Sequence, residues 1–260
     1  VDPALAAAPN APLPAGADAL LAAALRAPPA AVTDLDFMPT YTAHLRRIIV
    51  DGAGAGPAPL AGLRIAVDAG HGGGGFLATD VLAPLGADVS GSQFLDPDGR
   101  FPAHAPNPED RAAMRAAVAM TRSARAHLGI ILDTDVDRSA VVSAAGEPVN
   151  SNRYIALLAH AALAANPGAT IVTDSVTSDG LTAFIEAAGG VHLRYKRGYR
   201  NVIRKCVELN EAGVDCPLAM ETSGHGASRD NAFLDDGTYS ASQVVIPVSY
   251  THLTLPTILL

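Results

Sequence analysis

Residues Ile130 to Arg138 read Ile-Ile-Leu-Asp-Thr-Asp-Val-Asp-Arg. Three apolar residues with the pattern of a buried strand run into Asp133, Asp135 and Asp137, carboxylates at alternate positions closed by Arg138. At about 4 Å and an effective dielectric near 20, two such carboxylates repel by roughly 4 kcal/mol. The cluster therefore needs a counter-charge. A hard divalent cation with oxygen ligands, Mg2+ or Ca2+, fits better than a softer metal because no Cys or His flanks the loop. A solvated acidic turn is the alternative reading.

Other chemistries share parts of this pattern. A calcium-binding hand beginning at Asp133 needs Gly at its sixth position and Glu at its twelfth, where the chain has Arg138 and Ala144. That reading fails. An aspartyl-phosphate phosphatase also follows an apolar strand with Asp-x-Asp, and Asp133 and Asp135 fit it, but it wants Thr or Val where the chain has Asp137. A third possibility lies upstream, where Gly70-His71-Gly72-Gly73-Gly74-Gly75 satisfies G-x-G-x-x-G between an expected strand and helix. Asp96 would then be the residue placed to bind a ribose of a dinucleotide. A tight strand-to-helix turn explains the same glycines.

Hydrophobic periodicity supplies the elements that position these residues. Helices are expected over Ala17 to Arg26, Thr40 to Val50, Gly75 to Leu85, and from Pro108, capped by Asn107, to about Arg125. Strands are expected at Leu63 to Asp68, Asp88 to Phe94, His127 to Leu132 and Ser139 to Ser143. A second α/β unit starts at Ser151, with a helix stopped by Asn166-Pro167-Gly168. Strands at Thr170 to Thr173, Val191 to Tyr195 and Leu218 to Glu221 then alternate with helices capped by Ser178 and running from Tyr199 to Ala212. This alternation predicts an α/β protein of two consecutive domains.

Composition narrows the partners. The chain has 260 residues and a formal charge of -8, which argues against nucleic acid. Six of its eighteen Lys and Arg residues nonetheless fall between Arg194 and Lys205, a local inversion of sign suited to a small anion or to a solvated helix face. No stretch has the eighteen or so apolar residues of a membrane span. Cys206 and Cys216 lack C-x-x-C spacing and are read as reduced, buried or incidental, in a cytoplasmic protein. The final 24 residues, after Asp236, contain no Asp, Glu, Lys or Arg, a break in composition that suggests a foreign or displaced tail.

The string Asp133-x-Asp135-x-Asp137-Arg138 resembles the metal loop of the α-D-phosphohexomutases, the phosphoglucomutase and phosphomannomutase family. Glu221-Thr222-Ser223-Gly224-His225, followed by Asp235-Asp236-Gly237, is similar to that family's sugar-binding loop. Lys196-Arg197-Gly198-Tyr199-Arg200 resembles its Lys-x-Gly substrate segment. The likeness runs from about Asp36 to Ala241.

The resemblance implies two consecutive α/β domains with mixed sheets flanked by helices. Residues 1–36 would be a remnant of a first domain and linker, 37–150 a domain with the metal loop, 151–246 a domain with the sugar loop, and 247–260 a non-family tail. It implies a cytoplasmic isomerase that moves a phosphoryl group between the 1 and 6 positions of a hexose phosphate through a phosphoserine. Mg2+ would be held by Asp133, Asp135 and Asp137. Arg138 and Lys196 would take catalytic roles, while Glu221, Ser223, Gly224, His225 and Arg200 would bind substrate. The family's Thr-x-Ser-His-x-Pro serine loop and Arg-x-Ser-Gly-Thr phosphate loop do not occur in the chain. The chain is therefore expected to be the middle of a mutase, inactive alone.

Overall fold

The computed structural model describes Gly16, Ala19, residues 33–54 and residues 56–251. Except for Ala19, the helix expected over Ala17 to Arg26 falls outside them. Helix α1 (Met38–Ala53) turns Leu45 and Ile49 into the core. Strand β1 (Ile65–Asp68) pairs in parallel with β2 (Leu128–Leu132), and β2 pairs antiparallel with β3 (Ser139–Ser143). All of β1 and β2 is buried, as their near-continuous apolar sequences require. Helix α2 (Arg111–Ser123) covers this sheet with Ala113 and Ala117.

The second half contains α3 (Ser151–Ala165), β4 (Thr170–Asp174), α4 (Asp179–Ala187), β5 (Val191–Tyr195), α5 (Tyr199–Glu211), β6 (Leu218–Met220) and β7 (Gly226–Ser228). Its sheet has the order β5-β4-β6-β7, parallel except for the β6–β7 pair. The chain thus forms two consecutive α/β domains with mixed sheets, as expected. Asn150 caps α3 and Ser178 caps α4 through side-chain bonds to backbone N–H groups.

Three local expectations are corrected. The segment Asp88 to Phe94 is not a continuous strand: it makes isolated bridges from Asp88 to Arg64, just before β1, and from Gln93 to Asp68, because the Asp88 carboxylate accepts from Ser90 N and Ser92 N turns back onto Val89 O. The helix expected over Gly75 to Leu85 becomes a 3-10 turn, a π-type segment (Leu77–Leu82) and a second 3-10 turn around Pro84. Helix α2 is capped by Asp110, which accepts from Ala112 N and Ala113 N, rather than by Asn107.

The uncharged composition after Asp236 also has a structural cause. Helix α6 (Gly237–Thr251) packs against α1, β2, β3 and α3, with Tyr239, Ala241, Val244, Val245 and Val248 buried. For residues 237–251 the lack of charge marks burial, not displacement. Each fully buried Val contributes roughly 1.5–3 kcal/mol. No described helix is long and apolar enough to cross a membrane.

Asp235, Asp236 and Gly237 anchor this helix and the loops beside it. Asp236 caps α6 through Tyr239 N at 2.9 Å and accepts from Tyr41 Oη, Asn231 Nδ2 and Thr238 Oγ1. Gly237 lies against the Arg138 backbone: a Cβ there would stand 2.6 Å from Arg138 O and 2.8 Å from Arg138 N. Gly237→Ala is expected to push the Asp133–Arg138 loop away and to lower stability by about 1–3 kcal/mol in urea unfolding.

Candidate active site

Strand β2 delivers Asp133 to the head of the first sheet, and the turn that follows brings the three carboxylates together. Val136 adopts φ 71, a left-handed conformation rare for a β-branched residue, and this sharp turn folds Asp137 back toward Asp133. Oxygens of Asp133, Asp135 and Asp137 lie within 4.8 Å of one another. Asp133 is buried, Asp137 half-buried and Asp135 exposed, so the group opens to solvent on one side.

The glycine-rich turn braces this loop from behind. Gly73 N donates to Thr134 O at 2.9 Å. A Cβ on Gly72 would stand 2.7 Å from Thr134 O, one on Gly74 2.5 Å from Leu132 Cδ1, and one on Gly75 would strike Leu95 O. The glycines are needed for close packing against the chain itself. Asp96 uses its backbone oxygen on His71 Nδ1. The dinucleotide reading of Gly70 to Gly75 therefore has no support.

The phosphatase reading fares no better. Asp133 Oδ1 accepts from Arg138 N at 3.1 Å and Oδ2 from Arg138 Nε at 2.9 Å, so both oxygens are engaged. Nothing singles Asp133 out as a nucleophile facing a pocket of its own.

Electrostatics report the strain of three acids in one place. Burial, the hydrogen bond with Asp133 and the Asp133 charge push the Asp137 carboxyl up to about 7. A divalent cation would relieve this repulsion, and an all-carboxylate donor set matches Mg2+. The residues present therefore fit that ion. A second group, Asp137, His225 and Asp235, also has ligand atoms within 4.8 Å of one another. Its imidazole nitrogen suits Mg2+ less well.

The loop after β6 touches the acidic loop directly. Arg138 and His225 form an antiparallel backbone bridge, and His225 Nδ1 stands 2.9 Å from Asp235 Oδ2 and 3.5 Å from Asp137 Oδ2. Burial disfavours the imidazolium, but the Asp235 hydrogen bond and the Asp235 and Asp137 charges outweigh it and raise the His225 pKa. Gly224, at φ 101, packs with its Cα side toward Ser139 O. The buried Glu221 carboxylate accepts from Ser223 Oγ at 2.9 Å and Gly198 N at 3.0 Å, with Arg197 Nε at 3.8 Å. Glu221 thereby ties the loop after β6 to the loop after β5.

The expected site residues are not all equally engaged. Arg138 points its fork at Asp133 and at Asn107 Oδ1, 3.2 Å away, with Glu109 at 3.8 Å. Asn107, released from capping, holds the arginine instead. Lys196 is exposed, its ammonium 5.6 Å from the Tyr195 ring centroid. Arg200 lies 5.9 Å over the Tyr199 ring, which itself stacks on His225 at 4.6 Å.

Tyr199 and Asp174 were missed by sequence reasoning. Tyr199 looked like a helix start, and its stacking depends on tertiary placement. Asp174 ends β4, which lies between β5 and β6, and is fully buried, with Oδ2 accepting from Thr222 Oγ1 at 2.7 Å and Thr222 N at 3.3 Å. Its Oδ1 has no partner among the described residues. A buried carboxylate at a central strand end is the signal that could have found it. Asp174→Ala leaves two donors of the loop after β6 unpaired and is expected to lower stability by roughly 1–3 kcal/mol, measured by urea unfolding.

Two α/β domains with mixed sheets thus bring an acidic triad and a carboxylate-serine-histidine loop to one place. Comparison with known proteins assigns this arrangement to a family. Sequence models for phosphoglucomutase/phosphomannomutase, alpha/beta/alpha domain II and domain III, match residues 39–146 and 150–259. The chain belongs to the phosphoglucomutase/phosphomannomutase family.

Among its relatives, phosphomannomutase/phosphoglucomutase of Pseudomonas syringae pv. tomato is 36% identical over 184 residues, 70% of this chain and 38% of that protein. The enzyme of that name from Pseudomonas aeruginosa PAO1 is 32% identical over 215 residues, 82% of this chain and 43% of that one. A phosphoglucomutase/phosphomannomutase family protein from Burkholderia thailandensis superposes with TM-score 0.70 at 31% identity, covering 83% of this chain and 45% of that chain. Aspergillus fumigatus N-acetylphosphoglucosamine mutase in complex with GlcNAc-6P and magnesium shares the fold, with TM-score 0.53 at 15% identity, covering 80% and 51%. The chain thus spans about two fifths of the length of these curated bacterial relatives.

Proposed function

We propose that the chain supplies the metal loop and the sugar loop of a phosphohexomutase, which transfers a phosphoryl group between the 1 and 6 positions of a hexose phosphate through a phosphoserine. The observation that carries this reading is the direct junction of the two loops, where His225 reaches both Asp137 and Asp235. Asp133, Asp135 and Asp137 would hold Mg2+, which when bound supplies charge neutralisation at phosphoryl oxygens. Glu221 and Ser223 have the acceptor and donor capacity to bind sugar hydroxyls, and Gly224 lets the backbone approach closely. His225, with its raised pKa, offers a proton or a positive charge to a phosphate oxygen. Lys196 and Arg200 lie in the basic run where a phosphate is received, and Arg138 fixes the shape of the acidic loop while presenting charge beside it. The GlcNAc-6P and magnesium bound by the Aspergillus enzyme are the kind of ligand and ion proposed here. Cytoplasmic hexose-phosphate metabolism is part of the same proposal.

The proposed phosphoryl carrier is a serine in a loop that does not occur in residues 1–260. The 260-residue chain is therefore expected to bind a hexose phosphate in the presence of Mg2+ without interconverting the 1- and 6-phosphates. Calorimetric titration with glucose 6-phosphate and a coupled mutase assay read the two halves of this statement. Turnover by the pure chain, or no binding at millimolar ligand, contradicts it.

A further inference from the structure

We propose that Cys206 and Cys216 are an oxidisable pair that closes into an intrachain disulfide when the chain meets a small-molecule disulfide oxidant. Cys206 lies within α5 and Cys216 just before β6, and their Sγ atoms stand 2.7 Å apart, inside ordinary non-bonded contact. A disulfide bond of about 2.05 Å needs only a small further approach. Both cysteines are unpaired thiols and fully buried.

The backbones that carry them are locked together. Asn210 Nδ2 donates to Cys206 O at 2.8 Å and to Cys216 O at 2.7 Å. Oxidation removes the bond from Cys206 Sγ to Cys216 O, but Asn210 keeps that carbonyl satisfied. Access is local, since Glu211 to Asp215, immediately before Cys216, are all exposed. Cys216 directly adjoins this exposed segment, whereas Cys206 lies inside α5, so the first attack falls to Cys216.

In that step the Cys216 thiol loses its proton, and its sulfur attacks oxidised glutathione, expelling one glutathione thiolate and forming a mixed disulfide. The Cys206 thiol then loses its proton, and its sulfur displaces the second glutathione thiolate. The two released protons convert the thiolates to two molecules of reduced glutathione. The chain has given up two electrons, and the oxidant has taken them. Cys216 precedes β6 whereas Glu221 follows it, so the bridge would form at the end of that strand away from the sugar loop.

The test is refolding of the 260-residue chain across a series of reduced and oxidised glutathione mixtures, with a parallel series kept in urea. After acid quenching and alkylation, mass spectrometry counts chains that are two hydrogens lighter and carry no alkyl group, and peptide mapping assigns the bridge. The equilibrium constant for closure is expected to be on the order of a hundredfold larger in the folded chain than in urea. An excess of about tenfold or more supports the proposal; any smaller value overturns it. Cys206→Ser, which cannot close, calibrates the mixed disulfide.

Discussion

In the metal-free chain, Asp133→Ala and Asp137→Asn are expected to shift stability in opposite directions while both abolish Mg2+ binding. Asp133 is buried and satisfies Arg138 N and Nε. Its removal strands a largely buried arginine, an effect of roughly 2–4 kcal/mol of lost stability. Asp137 is the member of the cluster whose charge the fold resists, and its carboxyl is pushed up to about 7 by burial and by Asp133. Neutralising it removes repulsion, so Asp137→Asn should unfold at a higher temperature than the parent chain without metal. The same shift sets a pH dependence. A carboxyl raised above its ordinary value of 3.8 favours the folded state fully below that value, and this contribution is lost as pH rises toward about 7. Mg2+ should reverse the loss, so the gain in Tm on adding Mg2+ should grow between pH 5 and pH 8, by about one to several degrees. Thermal melts of the three chains with and without Mg2+ give all of these quantities.

The second large effect is expected at Glu221. Its carboxylate joins Gly198 N, Ser223 Oγ and the Arg197 side chain, so one residue ties together the two loops proposed to bind substrate. Glu221→Ala leaves Gly198 N and Ser223 Oγ without this acceptor and releases the loop after β5 from the loop after β6. Hexose-phosphate affinity should fall by about a hundredfold, the loss of two charge-assisted bonds. Calorimetry against glucose 6-phosphate measures it. Glu221→Gln keeps an acceptor for Gly198 and should recover part of the affinity, which separates loop positioning from carboxylate charge.

Much of this arrangement was legible in the sequence because it is local. The apolar run before Asp133, the stop at Asn166-Pro167-Gly168 and the cap at Ser178 depend on neighbours a few residues away, and the structure has them in place. Alternate spacing of Asp133, Asp135 and Asp137 was visible, but their convergence depends on the left-handed turn at Val136, which a β-branched residue gives no reason to expect. The glycine run illustrates the opposite failure. Its pattern matched a nucleotide loop, yet its glycines serve close approach to Thr134, Leu132 and Leu95, contacts distant in sequence. Asp110 rather than the expected Asn107 caps α2, while Asn107 Oδ1 accepts from Glu109 N and Arg138 Nη1, the latter a partner distant in sequence. Charge-free α6 misled for a related reason: composition reports burial, and burial against two domains resembles absence of selection for solubility until the packing is seen.

The reading of the acidic loop as an oxygen-ligand cation site is tested most directly by crystals of the chain grown with Mn2+ in place of Mg2+ and measured for anomalous scattering. A peak is expected among Asp133, Asp135 and Asp137, at about 2.1–2.2 Å from one oxygen of each. A peak held instead by His225 and Asp235, or none at saturating Mn2+, would contradict the account.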